Sequence, residues 1–263
     1  MKKNLLLIFF LFFTLKIFAC RCSSENIVQE YLDADFVGVI TITKTFDENI
    51  LKYKSGSENY FYKAEMNFDK IIKGKKLNFL NVFGIISDKK DFYQGCSLYL
   101  KPGEKYFVIL KKNQNNEYWI SSCSRIIRLS YHNLINEENR LINSYTKLFE
   151  NIEKYKNQFS NLKFEDFYDS SETRMTYPYT PHTDFIKLNI SNPYDRIGIY
   201  KVLTNKDLKI KKIIPIKQVG EKDIEIENLI LKNLQLYKYG KRNNKSNKSL
   251  LLLYFDDLAP LEF

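Results

Sequence analysis

Four cysteines carry most of the chemistry this sequence offers. Cys20 and Cys22 flank Arg21, while Cys96 and Cys123 stand far down the chain. Thiols so arranged admit three uses. An even set in an oxidising compartment pairs into disulfides. A cysteine directly after a cleaved leader can instead be acylated, and Ile17-Phe18-Ala19-Cys20 approximates the lipobox, with Ile17 and Ala19 fitting and Phe18 not. A lipid at Cys20 would be the chain's one membrane attachment. The Cys20 and Cys22 pair also has a spacing that would allow thiol–disulfide exchange. Parity favours two disulfides, because acylating Cys20 strands one of the other three cysteines. Three connectivities are open to four cysteines, and direct Cys20–Cys22 pairing is sterically poor, which disfavours one of them.

Other reactive constellations are sparse. The two histidines, His132 and His182, have no second His or Cys at metal-ligand spacing. No Gly-rich phosphate loop, nucleophile elbow or zinc helix is present. Glu65 and Asp69 share one predicted strand without an identifiable opposing acid. Cys123 and His132 would form a thiol pair only if Cys123 were not in a disulfide. The expectation is therefore a non-catalytic protein that needs no cofactor and holds no metal of its own.

The elements that position these residues begin after a leader. Residues 1–19 read as a secretory signal: Lys2 and Lys3, an unbroken apolar run from Leu5 to Phe13 too short to span a bilayer, and Ala19 at the cut. Lys16 argues against a retained anchor. The expected location is the periplasm, the cell surface or the medium. A composition of 44% hydrophobic and 27% charged residues is that of a globular chain, and 263 residues suffice for two domains. Of the net charge of +10, three units belong to the leader, Lys2, Lys3 and Lys16. No arginine-rich face accompanies the rest, so it reads as solvated surface, and no nucleic-acid partner is expected. The basic run from Lys238 to Lys248 contains Gly240, Asn243, Asn244 and Asn247 and reads as a loop.

Along residues 20–130, Ser23 caps a predicted helix over Glu25 to Leu32. Strands follow over Phe36 to Thr45, with a bulge or close approach at Gly38, then over Tyr60 to Ile72 and Leu77 to Phe83. Asp47 to Glu58 reads as a polar loop. Tyr60, Tyr62, Ala64, Met66 and Phe68 share one strand face. Lys105 to Lys111 and Tyr118 to Ser122 are predicted to form a hairpin. Short strands at this spacing imply an all-β, OB-like barrel with a flanking helix.

The ordered set of Cys20-x-Cys22, Ala34-Asp35-Phe36-Val37-Gly38-Val39, Ile72-Lys73-Gly74, Gly95-Cys96, Leu100-Lys101-Pro102-Gly103-Glu104-Lys105-Tyr106 and Ser122-Cys123-Ser124-Arg125 resembles the netrin-like module of tissue inhibitors of metalloproteinases, in its bacterial form. The resemblance covers about residues 20–130. It implies Cys20–Cys96 and Cys22–Cys123 pairing. In that family the free α-amine and carbonyl of the mature N-terminal cysteine chelate the zinc of a protease and displace its water. Carried over, Cys20 would be that ligand to a partner's zinc, and Cys20, Arg21, Cys22 and Ser23 would form the inhibitory ridge. The animal inhibitors have three disulfides in this module, against cysteines for two here.

Residues 131–160 read as a long amphipathic helix over Asn133 to Phe159, with Leu134, Leu141, Leu148 and Tyr155 every seven residues and Tyr145, Ile152 and Phe159 between them. It is expected to pack on its own domain rather than to form a coiled-coil dimer. Residues 161–195, with Pro178, Pro181 and Pro193, read as a linker. Residues 196–263 read as a small α+β domain of β-β-α-β order: Ile197 to Thr204, Leu208 to Val219, a helix over Asp223 to Tyr239, and Leu250 to Phe255. This order is similar to the C-terminal domain of TonB-like periplasmic proteins, although Leu208 stands where glycine would be usual. The functional expectation is an exported protein-binding module. The alternatives are a metalloprotease inhibitor acting through Cys20 and a thiol oxidoreductase using Cys20 and Cys22.

Overall fold

The computed structural model describes residues 22, 25–52, 58–86, 97–129, 135–168, 184–188, 190–191, 196–237 and 247–255. The leader, Cys20, Arg21, Ser23, Cys96, His132 and His182 lie outside them, as do most of the expected linker and the basic loop.

The chain is mostly β-structure with three helices among the described residues. Helix α1 spans Ile27–Asp33 and is capped by Asn26, whose side-chain oxygen accepts from the Val28 amide at 3.0 Å. Asn26 occupies the capping position expected of Ser23, because the helix starts two residues later than predicted. Strand β1 (Phe36–Lys52) pairs with β2 (Glu58–Lys73), so the segment expected to be a polar loop is mostly hairpin. Its polar residues reach across the ladder, as where Lys63 meets Asp47 at 3.2 Å. The register shifts at Gly38, as expected. A Cβ at Gly38 would sit 2.4 Å from the Lys70 carbonyl oxygen.

Strands β3 (Leu80–Phe83), β4 (Lys105–Leu110), β5 (Trp119–Ile120) and β6 (Arg125–Arg128) complete a curled six-stranded sheet of order β5-β3-β2-β1-β4-β6. The hairpin expected between β4 and the 118–122 segment is limited to one bridge, Lys112 to Tyr118. Beyond it, β5 leaves β4 and pairs in parallel with β3, and β6 returns to β4 after the turn at 121–124. The two ends of the sheet order are thus consecutive in the chain. Phe36, Ile40, Tyr62, Leu80, Val82 and Val108 fill the inside of the curl.

The outside of β1, β4 and β6 is also apolar. Val37, Val39, Phe107, Ile109 and Ile127 meet α1 and the long helix α2 (Ile135–Tyr155). Leu141, Tyr145, Leu148, Phe149 and Ile152 form the buried stripe of α2, and Phe159 continues it past the helix end. The helix packs against residues of its own chain. A second sheet of order β11-β8-β9, formed by β8 (Arg196–Thr204), β9 (Ile210–Lys217) and β11 (Lys248–Phe255), joins the same core through Ile197, Ile199, Leu250 and Leu252. Alternate residues, Tyr200, Val202, Leu251 and Leu253, point to its other face and pack against Ile226 and Ile230 of α3 (Asp223–Asn233). The layers run curled sheet, α1 with α2, three-stranded sheet, α3.

Helix α3 stops well before Tyr239. Gln235–Leu236 forms β10 and pairs with β7 (Phe167–Tyr168), while the amides of Leu236 and Tyr237 donate to the carbonyls of Leu208 and Asp166. These long-range bonds satisfy backbone groups that a longer helix would have used.

Candidate functional site

Cys22 and Cys123 are joined by a disulfide across 101 residues, with their Cα atoms 5.1 Å apart. This is one of the two pairings implied by the netrin-like resemblance. Both residues are exposed. Cys123 sits in the turn that interrupts the strand path between β5 and β6. The Ser121 hydroxyl accepts from its amide at 3.2 Å, and the Ser124 hydroxyl accepts from the Ser121 amide at 3.0 Å. Such side-chain bonds to the backbone stabilise a turn in place of a continuing ladder.

A cleft of about 210 Å³ opens beside this disulfide. One wall is Glu25, just before α1, with Glu30 and Asp33 from the helix itself. The other is the end of β4 with Lys111, then Trp119, Ile120, Cys123 and Arg125. Glu30 and Asp33 are separated by three residues, which sets them on one helix face. Arg125 is the hinge between the walls. Its Nε donates to Glu30 Oε2 at 2.7 Å and its Nη2 to the Glu25 carbonyl at 3.1 Å. Both partners of the Arg125–Glu30 pair are about three-quarters buried, so solvent screens it less than a surface pair.

Burial pushes the Glu30 carboxyl above its ordinary value, and the Arg125 guanidinium only partly offsets that. Lys111 lies 4.0 Å from Asp33, which also accepts from Gln29 at 3.2 Å. Trp119 is held on the outer surface by its indole N–H, which donates to Glu117 at 2.8 Å, and by ring contacts with Phe61 and Phe83. The cleft therefore offers paired charges of both signs, one aromatic ring and the side chain of Ser124.

Of the residues singled out from the sequence, the structure brings Cys22 and Cys123 together at this cleft. Cys20, Arg21, Ser23 and Cys96 are outside the described residues. Glu65 and Asp69 are exposed on β2 and do not line the cleft; Asp69 accepts from Thr41 at 2.6 Å. Nothing in the sequence singles out Glu25, Glu30, Asp33, Lys111 and Trp119 as site residues, and Arg125 enters there only within Ser122-Cys123-Ser124-Arg125. The available signal was Arg125 two residues after a cysteine, with acids on the helix that follows that cysteine's partner. Among the described residues, no group of three or more His, Cys, Asp and Glu is placed to hold a metal ion, and no helix is long and apolar enough to cross a membrane. A scan against models of known protein families and a search of curated proteins each find no match to this chain.

Proposed function

We propose that this chain is an exported, non-catalytic binding protein. Its netrin-like, OB-type barrel offers the edge held by Cys22–Cys123 to a protein partner. One observation carries the reading: the Cys22–Cys123 bond fastens the chain beside an open cleft of mixed charge. Export fits the disulfide, since such bonds persist in oxidising compartments. The OB-type assignment is supported by strand adjacency. If β5 and β6 count as two halves of one strand, pairing runs β1-β2-β3-β5/β6-β4 and back to β1, the closed order of a five-stranded OB barrel. Arg125 and Trp119 in the cleft wall suit a protein partner, since arginine and tryptophan are enriched where proteins meet.

The test is a photo-crosslinking amino acid at Lys111 on the cleft wall, with Lys206 on a distant turn as the control. A discrete protein adduct at position 111, absent at 206 and reduced by Arg125→Ala, supports the reading. Equal adducts at both positions, or none at 111, overturn it.

The inhibitor reading is favoured by the same disulfide, because Cys22–Cys123 is the bond that would hold the ridge of Cys20, Arg21, Cys22 and Ser23 in a protease cleft. It requires the mature protein to inhibit a zinc protease and to lose that activity when one residue is added before Cys20. Inhibition that survives the added residue rules out chelation by the Cys20 amine.

A further inference from the structure

We propose that the Cys22–Cys123 disulfide is a redox-releasable latch at the rim of the cleft, and that cutting it leaves α1 docked. This deepens the binding reading, and only its effect on the partner rests on that reading.

Helix α1 is held in place by several contacts besides the disulfide. Arg125 bonds both Glu30 and the Glu25 carbonyl. Asn26 Nδ2 donates to Asp166 Oδ1 at 2.9 Å, and Gln29 accepts from the Phe164 amide at 3.2 Å, tying the helix to a segment some 140 residues away. Lys73 Nζ donates to the carbonyls of Tyr31 and Leu32. The Tyr31 ring stacks on Phe149 with centroids 4.0 Å apart, and Ile27, Val28 and Tyr31 are buried in the main core. The helix is thus fixed on three sides without the disulfide.

The disulfide itself is differently placed. Its two residues are exposed, and it is anchored in a turn rather than in a ladder. An external dithiol can reach it. One thiolate of that dithiol attacks a sulfur of the bond, and its second thiol then resolves the mixed disulfide. The Cys22–Cys123 bond gains two electrons and two protons to become two thiols, and the dithiol becomes a disulfide. What is released is the tether between Cys22 and the cleft rim, while Glu25, Glu30 and Arg125 keep their contacts.

The experiment uses the oxidised full mature chain, treated with dithiothreitol under native conditions, with peptide mapping to follow Cys22 and Cys123 separately from the other two cysteines. The variant Cys22→Ser with Cys123→Ser serves as a permanently open form. The chain's one tryptophan, Trp119, lines the cleft and reports on it by emission. The latch predicts a changed Trp119 emission and a Tm lower by about 10 °C. It also predicts that α1 amides stay protected from hydrogen exchange in the open form, because the bonds to Asp166, Phe164 and Lys73 and the Tyr31–Phe149 stack remain. Loss of α1 protection on reduction alone, with Arg125 intact, overturns it. So does a Trp119 emission unchanged by confirmed cleavage. These readouts need no partner. If they hold while the crosslinks at position 111 fail, the latch stands and the binding reading falls. If crosslinking is established and reduction leaves its yield unchanged, the latch does not regulate binding.

Discussion

Lys73 caps the helix that carries Tyr31. Its Nζ donates to the Tyr31 carbonyl at 2.8 Å and to the Leu32 carbonyl at 3.0 Å, and lies 5.0 Å from the centre of the Tyr31 ring. A lysine at the end of β2 thereby closes the C-terminus of a helix 40 residues earlier, adding to the bond that the Ala34 amide donates to the Tyr31 carbonyl at 3.3 Å. Burial holds its ammonium below the usual lysine range, against the pull of Glu153. Replacement by Met keeps the apolar stem and removes the donors. Lys73→Met is expected to lower stability by about 1–3 kcal/mol, read as a lower urea midpoint at unchanged m-value. An unchanged midpoint would mean that water replaces the lysine at no cost.

Gly74 and Gly103 both have positive φ, at 88° and 87°. They differ in what surrounds them. A Cβ at Gly74 would sit 2.1 Å from the Asp35 carbonyl oxygen, whereas nothing lies within 4 Å at Gly103. Gly103→Ala therefore carries the cost of the left-handed backbone alone, about 1 kcal/mol. Gly74→Ala adds a backbone clash and is expected to cost more than about 3 kcal/mol or to prevent folding. Thermal unfolding of the two variants side by side separates strain from clash. Equal Tm losses would show that the β2 end can shift away from α1.

Leu208 has φ of 65° at the end of the turn between β8 and β9. The turn is held by Asn205, whose side-chain oxygen accepts from the amides of Asp207 and Lys209. Glycine is the residue this backbone favours, and leucine is retained at a cost of about 1 kcal/mol. Its side chain packs on the core between the three-stranded sheet and α3. Leu208→Asn removes that contact with less conformational relief, and Leu208→Gly removes it with full relief. The expected order of Tm is Gly above Asn, with Gly within a few degrees of the parent. A glycine variant less stable than the asparagine variant would show that packing outweighs backbone strain.

Two carboxylates near α1 titrate in opposite directions. Burial would raise Glu153, but hydrogen bonds from Lys156 and Tyr31 outweigh burial and hold it below its ordinary 4.5. Its contribution is present above pH 4.5 and is lost as pH falls through its folded value. Glu30 is raised above 4.5 mainly by burial, so its charged form opposes folding, and that cost is relieved as pH falls through its folded value. Carboxyl NMR titration should place Glu153 below Glu30. Glu153→Gln should flatten the fall of stability below pH 4.5, while Glu30→Gln should remove the gain in stability that accompanies a fall in pH towards 4.5 from above. Reversal of that titration order would contradict the assignment of these partners.

Much of the local structure could be read directly from the chain. Alternation identified Tyr62, Ala64 and Met66 as one buried strand face, and all three fill the inside of the curled sheet. The spacing of Leu141, Tyr145, Leu148 and Ile152 identified the buried stripe of α2. Gly38 is expected to mark a bulge, and the register of β1 against β2 shifts there. The cleft was less legible. Glu25, Glu30, Lys111 and Arg125 are ordinary surface residues by type, and only folding brings the first two within reach of the last.

The sequence by itself determined which faces are apolar, where the backbone needs glycine, and that Cys22 had a partner to find. Those are local properties, set by side-chain period and by φ. The tertiary structure alone decided which faces meet. Trp119–Ile120 leaves β4 for a parallel place beside β3, α2 serves both sheets at once, and α3 ends where Leu236 and Tyr237 find carbonyls from Leu208 and Asp166. A strand's pattern states that it needs a neighbour and says nothing of which one. Pairing is settled by backbone hydrogen bonds and packing between residues far apart in the chain.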